Sequence, residues 1–185
     1  AVDGGHVIDT TMGMTPLAGL VMGTRSGDVD AGVVLFMMKT MGLTAIDVDR
    51  MLNKESGLLG LSGGLSDMRD IINAKDRGDE WAQRAFDCFV HRLVGYIGAY
   101  YTFLGGAHAV VFTGGIGENS APVRKGVIDK LGALGCFLQD DANDVMGEVA
   151  VVSSPESTLK AVVMPTNEEL MIAIESMSVL TASPA

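Results

Sequence analysis

Three short stretches of this sequence carry residue types that can act on an anionic group. Gly23-Thr-Arg-Ser-Gly-Asp28 holds one arginine between two glycines, Gly114 to Asn119 is rich in glycine, and Glu168-Glu169 is a carboxylate pair. A guanidinium binds carboxylate or phosphate through paired hydrogen bonds. Glycine lets an anion approach main-chain N–H groups, and a carboxylate can hold a divalent cation. The three stretches therefore supply a cation, an anion-binding backbone and a metal ligand.

The glycine-rich stretch follows an uncharged run, Ala109 to Phe112, which predicts a strand covered on both faces in a parallel sheet. A helix is expected next, capped by Asn119 or Ser120 and with Pro122 in its first turn. Strand, glycine loop and helix N-terminus together predict an anion site, because unpaired N–H groups and the positive end of the helix dipole meet there. Taken alone, three glycines are equally well explained by a tight connection.

The arginine and the carboxylate pair each have an ordinary structural explanation as well. Arg25 on a loop is most simply a solvated surface cation. Thr166 and Glu169 have the spacing of a reciprocal capping box at the start of a helix, which gives Glu169 a structural role. Glu168 has no such role and is free to reach a bound cation.

The elements around these stretches follow from hydrophobic periodicity and capping residues. We expect a largely buried helix capped by Asp30 and running to about Met41, a flexible apolar loop from Leu58 to Gly64 and a helix capped by Ser66. Further helices are predicted over 45–53, where Thr44 and Asp47 form a capping-box variant, and over 79–104. Strands are predicted over 7–10, 136–138, 148–153 and 160–164. The result is a mostly parallel α/β sheet whose strand ends, near residues 10, 113 and 165, gather the three stretches. Phosphoryl transfer requires this combination of groups.

Composition limits the class of protein and of partner. The chain has 185 residues, 48% of them hydrophobic, and a mean hydropathy of +0.31, which predicts one globular domain. Its net charge of −10 argues against a nucleic-acid partner. Gly105-Gly106 divides the longest uncharged run, so no membrane span is predicted. Cys88 and Cys136 lack metal-ligand spacing and are interpreted as thiols in a reducing compartment, the cytoplasm, although a disulfide stays open.

The sequence resembles the acetate kinase family, which has the actin-like ATPase (ribonuclease H-like) α/β fold shared with sugar kinases. The resemblance runs along the whole chain in the family's order. It rests on Asp9-Thr-Thr-Met-Gly-Met-Thr-Pro-Leu-Ala-Gly-Leu-Val-Met-Gly-Thr-Arg-Ser-Gly-Asp28, Lys54-Glu-Ser-Gly-Leu-Leu-Gly-Leu-Ser62, Ser66-Asp-Met-Arg69, Val111-Phe-Thr-Gly-Gly-Ile-Gly-Glu-Asn119 and Pro165-Thr-Asn-Glu-Glu-Leu170.

The resemblance implies a role for each motif residue. Arg25 would be the catalytic arginine that stabilises the transferring phosphoryl group, and Glu168 would be the Mg²⁺ carboxylate. The residues implied to bind the nucleotide are Asp67, Met68, Arg69, Gly115, Ile116, Gly117, Glu118 and Asn119. The implied reaction is reversible phosphoryl transfer between ATP and acetate, giving acetyl phosphate and ADP, in a cytoplasmic homodimer. Propionate or butyrate in place of acetate remains an alternative.

The N-terminus departs from the family pattern. The family's His-x-Gly-Asn-Gly segment, which lies upstream of the Asp9 motif, is not found, and the chain does not begin with Met. We therefore expect residues 1–185 to be the C-terminal nucleotide-binding domain of an acetate kinase, incomplete at its first strands and inactive by itself. A non-catalytic nucleotide-binding or assembly module is the alternative from another class.

Overall fold

The computed structural model describes residues 1–181, which form eight α-helices and five short β-strands. The helices are α1 (Ala31–Thr40), α2 (Ala45–Lys54), α3 (Gly57–Ser62), α4 (Met68–Asp76), α5 (Glu80–Phe103), α6 (Gly114–Asn119), α7 (Ala121–Ile128) and α8 (Glu168–Thr181). The strands are β1 (Val2–Asp3), β2 (His6–Val7), β3 (Ala109–Phe112), β4 (Ala150–Val151) and β5 (Lys160–Val163).

The sheet that positions the glycine-rich stretch has three strands in the order β3-β5-β4. β3 pairs with β5 in parallel, whereas β4 pairs with β5 antiparallel, so the sheet is mixed and not mostly parallel. Ala161 and Val163 of the central strand are fully buried. The prediction that β3 is covered on both faces was wrong, because Val111 on one face is 49% exposed. β3 also lies at the edge of the sheet.

The N-terminal residues form a separate hairpin. β1 and β2 pair antiparallel across Gly4-Gly5, with Val2 opposite Val7. The predicted strand over 7–10 was therefore wrong, because β2 ends at Val7 and takes its only partner from β1 within residues 1–181. Only the ends of β3 and β5, of the three predicted strand ends, meet in one sheet.

Helix starts follow the capping residues closely. Asp30 accepts a hydrogen bond from Gly32 N at 2.9 Å and caps α1. Thr44 and Asp47 form the predicted reciprocal capping box of α2. Asp79 accepts from Trp81 N and caps α5. Each cap satisfies a free N–H group at the helix start, and the caps at Asp30 and Thr44 were predicted correctly because donor and acceptor lie within three residues.

Burial was predicted less well than helix starts. α1 is mostly exposed, with Leu35 and Phe36 53% and 58% exposed, so the expected buried helix was wrong. The expected flexible loop over 58–64 is largely helix α3, since Leu58 packs into the core and is only 1% exposed. Over 136–138 there is no strand but a single bridge from Leu138 to Ser153.

The hydrophobic core lies around α5, which packs against α3, α4 and α7. Its central residues include Leu58, Ile71, Ala85, Phe89, Val123, Val127, Ile128, Leu131, Val152, Ala161 and Val163. Cys88 and Cys136 are free thiols, and only Cys136 is fully buried. Among residues 1–181 no helix has the length and apolar character of a bilayer-spanning segment.

Candidate functional site

A cavity of about 760 Å³ lies between the start of α4 and the α6–α7 connection. This volume is in the range of small-molecule binding sites. Its lining is formed by Ser66, Asp67, Met68, Arg69, Ile72, Asn73, Gly115, Ile116, Asn119, Ser120, Pro122 and Met146. The structure thus brings six of the eight predicted nucleotide-binding residues to one place, from two motifs that are far apart in the sequence. Their binding role stays a prediction.

The α4 side of the cavity carries an exposed ion pair. Asp67, and not Ser66 as predicted, caps α4: its Oδ1 accepts from Arg69 N at 2.8 Å. Arg69 Nη2 donates to Asp67 Oδ2 at 2.7 Å. The hydrogen bonds from the Arg69 side chain and main chain lower the pKa of Asp67 to about 2, and the same pairing raises the pKa of Arg69. Both groups are therefore charged at neutral pH beside the cavity.

The α6 side of the cavity differs from the predicted glycine loop, because Gly114–Asn119 forms a six-residue helix. Gly114 N donates to Glu118 Oε1 at 2.8 Å. One N–H group of the predicted anion site is therefore already bound to a carboxylate. Gly117 packs on β3: a side-chain carbon added there would lie 3.0 Å from the carbonyl carbon of Phe112. Gly117 and Glu118 do not line the cavity.

Glu118 also contacts the segment between the end of β5 and the start of α8. Its Oε1 accepts from Thr166 N at 3.1 Å. Asn167 Oδ1 accepts from Leu170 N at 3.1 Å, so Asn167 provides the cap of α8. The predicted capping box of Thr166 and Glu169 was wrong, because α8 starts at Glu168 and the residue in the capping position is Asn167.

Arg124 holds α6 in place, and sequence reasoning missed it. Its guanidinium is fully buried and donates only to neutral oxygens. The five acceptors are Asn143 Oδ1 (2.8 Å), Gly117 O (2.9 Å), Glu118 O (2.9 Å), Asn143 O (2.7 Å) and Val145 O (2.9 Å). Burial lowers the pKa of Arg124, and nearby Asp144 partly opposes this shift. A signal was present: Arg124 lies on the same helical stripe as Val127, Ile128 and Leu131, where a charged residue is unusual.

Arg25 lies on a loop whose main chain is held on both sides. Ser56 N donates to Thr24 O at 3.0 Å, and Ser26 N donates to Leu52 O at 2.9 Å. The Arg25 side chain is half-buried, and its guanidinium forms no hydrogen bond or ion pair with residues 1–181. Arg25 does not line the cavity. The same loop nevertheless touches the cavity wall, since a side-chain carbon added at Gly23 would lie 3.0 Å from Ser66 O.

Comparison with known proteins identifies the family. The family model described as the Acetokinase family matches residues 1–174. The chain belongs to the acetokinase family. It is 47% identical over 180 residues to acetate kinase of Clostridium novyi and 53% identical over 175 residues to that of Enterococcus faecalis. These alignments cover 97% and 94% of this chain but 45% and 44% of the relatives, so the chain spans less than half of their length.

Solved structures agree with this assignment. Acetate kinase of Porphyromonas gingivalis matches with a TM-score of 0.91 and 42% identity over 97% of this chain and 45% of that one. A propionate kinase of Francisella tularensis matches with a TM-score of 0.89 and 42% identity over 95% of this chain and 44% of that one. The predicted acetate kinase fold, an actin-like α/β architecture, is therefore confirmed.

Glu168, the predicted metal carboxylate of this acetokinase chain, is exposed at the first residue of α8. It lines a shallow groove of about 380 Å³ together with Asn167 and Glu175. In residues 1–181 no cluster of three or more His, Cys, Asp or Glu side chains is arranged to hold a metal ion. Mg²⁺ commonly binds through one or two carboxylates plus substrate phosphates and water. A single exposed carboxylate fits that mode.

Proposed function

We propose that the full-length protein transfers a phosphoryl group reversibly between ATP and acetate, giving ADP and acetyl phosphate. Residues 1–185 would be its C-terminal nucleotide-binding domain. The observation that carries this proposal is the single cavity that joins the Asp67–Arg69 segment to the Gly115–Asn119 segment. Either motif alone is also explained by local structure, whereas their convergence on one ligand-sized space is not.

The cavity has the chemistry to bind a nucleotide. Apolar side chains of Met68, Ile116 and Met146 offer surfaces for the flat base. Asp67 can accept hydrogen bonds from ligand hydroxyl groups, and the Arg69 side chain, 87% exposed, keeps donors free for the ligand. We propose that Gly115 and Asn119 contact the nucleotide from the α6 side, while Gly117 keeps α6 packed on β3.

Arg25 would act on the phosphoryl group itself. The transferring group spreads negative charge over three oxygens in the transition state, and a guanidinium can stabilise that charge. The main-chain hydrogen bonds at Thr24 and Ser26 hold the loop, so the backbone that carries Arg25 is already positioned before reaction. Glu168, with Asn167 and Glu175 beside it, would hold Mg²⁺, which neutralises charge on the phosphate oxygens when bound.

The remaining parts of the reaction are proposed for the rest of the full-length protein. Because the chain covers 45% of its Clostridium novyi relative, we propose that the acyl site lies outside residues 1–185 and that these residues alone do not turn over acetate. We also propose a cytoplasmic homodimer. The exposed apolar side chains of α1, such as Leu35 and Phe36, support an association surface, and the free thiols fit a reducing compartment.

Propionate is the alternative acyl substrate. The propionate kinase of Francisella tularensis is as similar to this chain as the acetate kinase of Porphyromonas gingivalis, at 42% identity. Acetate is favoured because the relatives at 47% and 53% identity are acetate kinases. Measuring kcat/KM of the full-length protein for acetate, propionate and butyrate decides between them. Nucleotide binding without turnover of any of the three would instead identify a non-catalytic module.

Replacement of Arg25 tests the catalytic proposal directly. In the full-length protein Arg25→Ala should lower kcat roughly 10³-fold, by analogy with arginines that stabilise transferring phosphoryl groups. The affinity for ADP, measured by calorimetry, should change little because Arg25 does not line the cavity. Arg77→Ala, which removes an exposed arginine at the end of α4, is the matched control and should leave kcat unchanged. Near-normal kcat for Arg25→Ala would show that Arg25 is a solvated surface cation without a catalytic role.

A further inference from the structure

We propose that Glu118 is a positioning residue that joins the nucleotide cavity to the segment bearing Glu168, and so couples nucleotide binding to Mg²⁺ binding. This inference rests on the proposed function. It differs from the role implied by the family resemblance, in which Glu118 belongs to the set that binds the nucleotide.

The first support is the set of donors around one carboxylate oxygen. Glu118 Oε1 accepts from Gly114 N at 2.8 Å, from Thr166 N at 3.1 Å and, more weakly, from Thr113 Oγ1 at 3.5 Å. Thr113 and Gly114 follow β3, and Thr166 follows β5. Oε1 therefore bridges the carboxyl ends of two neighbouring parallel strands.

The second support is that the bridge continues the sheet beyond its last paired residues. Phe112 pairs with Val163, and Met164 N donates to Phe112 O at 3.0 Å. After this bond the two segments diverge, one into α6 and the other toward α8. The hydrogen bonds of Glu118 are the next connection between them, and Thr166 is only two residues before Glu168. A displacement of α6 would therefore be passed to the Glu168 segment.

The third support is that Glu118 itself cannot easily move. Its carbonyl oxygen accepts from Arg124 Nη1 at 2.9 Å, and the preceding residue, Gly117, packs directly on Phe112. Its carboxylate is directed toward the strand ends and is not part of the cavity lining. A carboxylate held this way acts as a hydrogen-bond acceptor at a fixed place. A negative charge set directly against a nucleotide phosphate would repel it.

If an acceptor oxygen is what matters, an amide can replace the carboxylate. Glu118→Gln keeps an oxygen that can accept the same hydrogen bonds, whereas Glu118→Ala removes it. Thr166→Pro removes the N–H donor on the other side of the bridge and leaves Glu118 unchanged. These three variants distinguish a requirement for a hydrogen-bond acceptor from a requirement for negative charge. Because there are three of them, the test stays valid if one fails to fold.

The test uses two measurements on the full-length protein that do not depend on turnover. The first is amide hydrogen exchange without nucleotide. For Glu118→Ala we expect exchange at Gly114 and Thr166 to rise by about tenfold, while the core of α5 is unchanged. The second is ADP affinity by calorimetry with and without Mg²⁺. The gain in affinity that Mg²⁺ provides should fall by about tenfold, and the metal-free affinity should stay within about threefold of wild type.

The other variants define the expected pattern. Glu118→Gln should stay within about threefold of wild type in both measurements, and Thr166→Pro should lose the Mg²⁺ gain as Glu118→Ala does. Glu168→Gln is the reference for loss of the metal carboxylate. Glu169→Ala, one residue further along α8, is the matched control and should behave as wild type.

Several results would overturn the proposal. Equal loss of ADP affinity with and without Mg²⁺ in Glu118→Ala would show that Glu118 contacts the nucleotide. A rise in exchange throughout α5 would show a general loss of stability. Loss of the Mg²⁺ gain in Glu118→Gln would show that the charge matters. Failure of the proposed function is recognised separately, as absence of acetate, propionate or butyrate turnover by the wild-type full-length protein.

Discussion

The Arg25 loop and helix α6 both carry predicted site residues, but different kinds of contact hold them. The loop is held by main-chain hydrogen bonds to Leu52 of α2 and to Ser56, which follows α2. It also packs against Gly57. Helix α6 is fixed from inside by the buried guanidinium of Arg124. The Arg25 loop depends on the absence of a side chain at Gly57, whereas α6 depends on the charged side chain of Arg124.

Because of this difference, mutations in the two regions should affect different properties: the position of Arg25 in one case and the stability of the fold in the other. A change at Gly57 should move the loop, and with it Arg25, without removing a large part of the core. A change at Arg124 leaves buried carbonyl oxygens without donors, and such groups carry a full desolvation cost. Mutation of Arg124 should therefore act mainly through folding, and mutation of Gly57 or Arg25 mainly through catalysis.

The largest effect is expected from Arg124→Met. It removes all five hydrogen bonds, while relief from burying a cation offsets part of the loss, so we expect the free energy of unfolding to fall by about 2–4 kcal/mol. Urea unfolding of the full-length protein measures this. Lys125→Met is the matched control: Lys125 is exposed, and its pairs with Asp129 and Asp140 are surface contacts. Equal losses of unfolding free energy in Arg124→Met and Lys125→Met would show that the buried hydrogen bonds of Arg124 do not stabilise α6.

Gly57→Ala should have the next largest effect and should act on catalysis. Gly57 has φ of +63°, and an added side-chain carbon would lie 2.6 Å from Arg25 O and against Met22 O. We expect kcat of the full-length protein to fall about 10²-fold, because small displacements of a catalytic group are costly, with about 1–2 kcal/mol of stability lost to backbone strain.

Gly60→Ala is the control for this change. Gly60 lies in the same helix, α3, and an added side-chain carbon there would make an ordinary contact 3.5 Å from Glu55 O. Its kcat should be that of wild type. If Gly57→Ala keeps normal kcat despite the close contacts, the Arg25 loop does not need the position seen here.

The smallest effect is expected from Tyr96→Phe, at the surface end of the Arg25 loop. Tyr96 OH donates to Asp28 Oδ2 at 2.6 Å. Burial and this hydrogen bond raise the pKa of Tyr96 to about 12, and the hydrogen bond from Tyr96 is the main cause that lowers the pKa of Asp28. Near neutral pH, wild type should be more stable than Tyr96→Phe by about 0.5–1.5 kcal/mol.

The stability difference should depend on pH in a defined direction. Because folding raises the pKa of Tyr96 from 10.0 to about 12, its contribution is complete below pH 10 and is lost as pH rises from 10 to about 12. Urea unfolding of both proteins over this range measures the difference. Tyr101→Phe is the control, since the Tyr101 hydroxyl has no hydrogen-bond partner within residues 1–181. A difference that persists unchanged above pH 12 would contradict the assigned hydrogen bond.

Prediction from sequence succeeded for local interactions at several helix starts, but it was wrong by one residue at α4 and α8, where Asp67 and Asn167 take the capping position. The caps at Asp30 and Thr44 join a side chain to an N–H group two or three residues away, so the residue types alone indicate them. It failed for the burial of α1 and for the covered faces of β3. Burial depends on which elements lie alongside, and periodicity reports an apolar face without identifying its neighbour.

The sequence by itself determined the motifs, their order along the chain and the starts of α1 and α2, because these depend on residue types at short spacing. Only the tertiary structure decided that Asp67 and Arg69 face Ile116 across one cavity, and that Glu118 bridges two strand ends. Those outcomes depend on the parallel pairing of β3 with β5 and on the packing of α4 and α7 against α5. The partners are distant in sequence, and no local spacing brings them together.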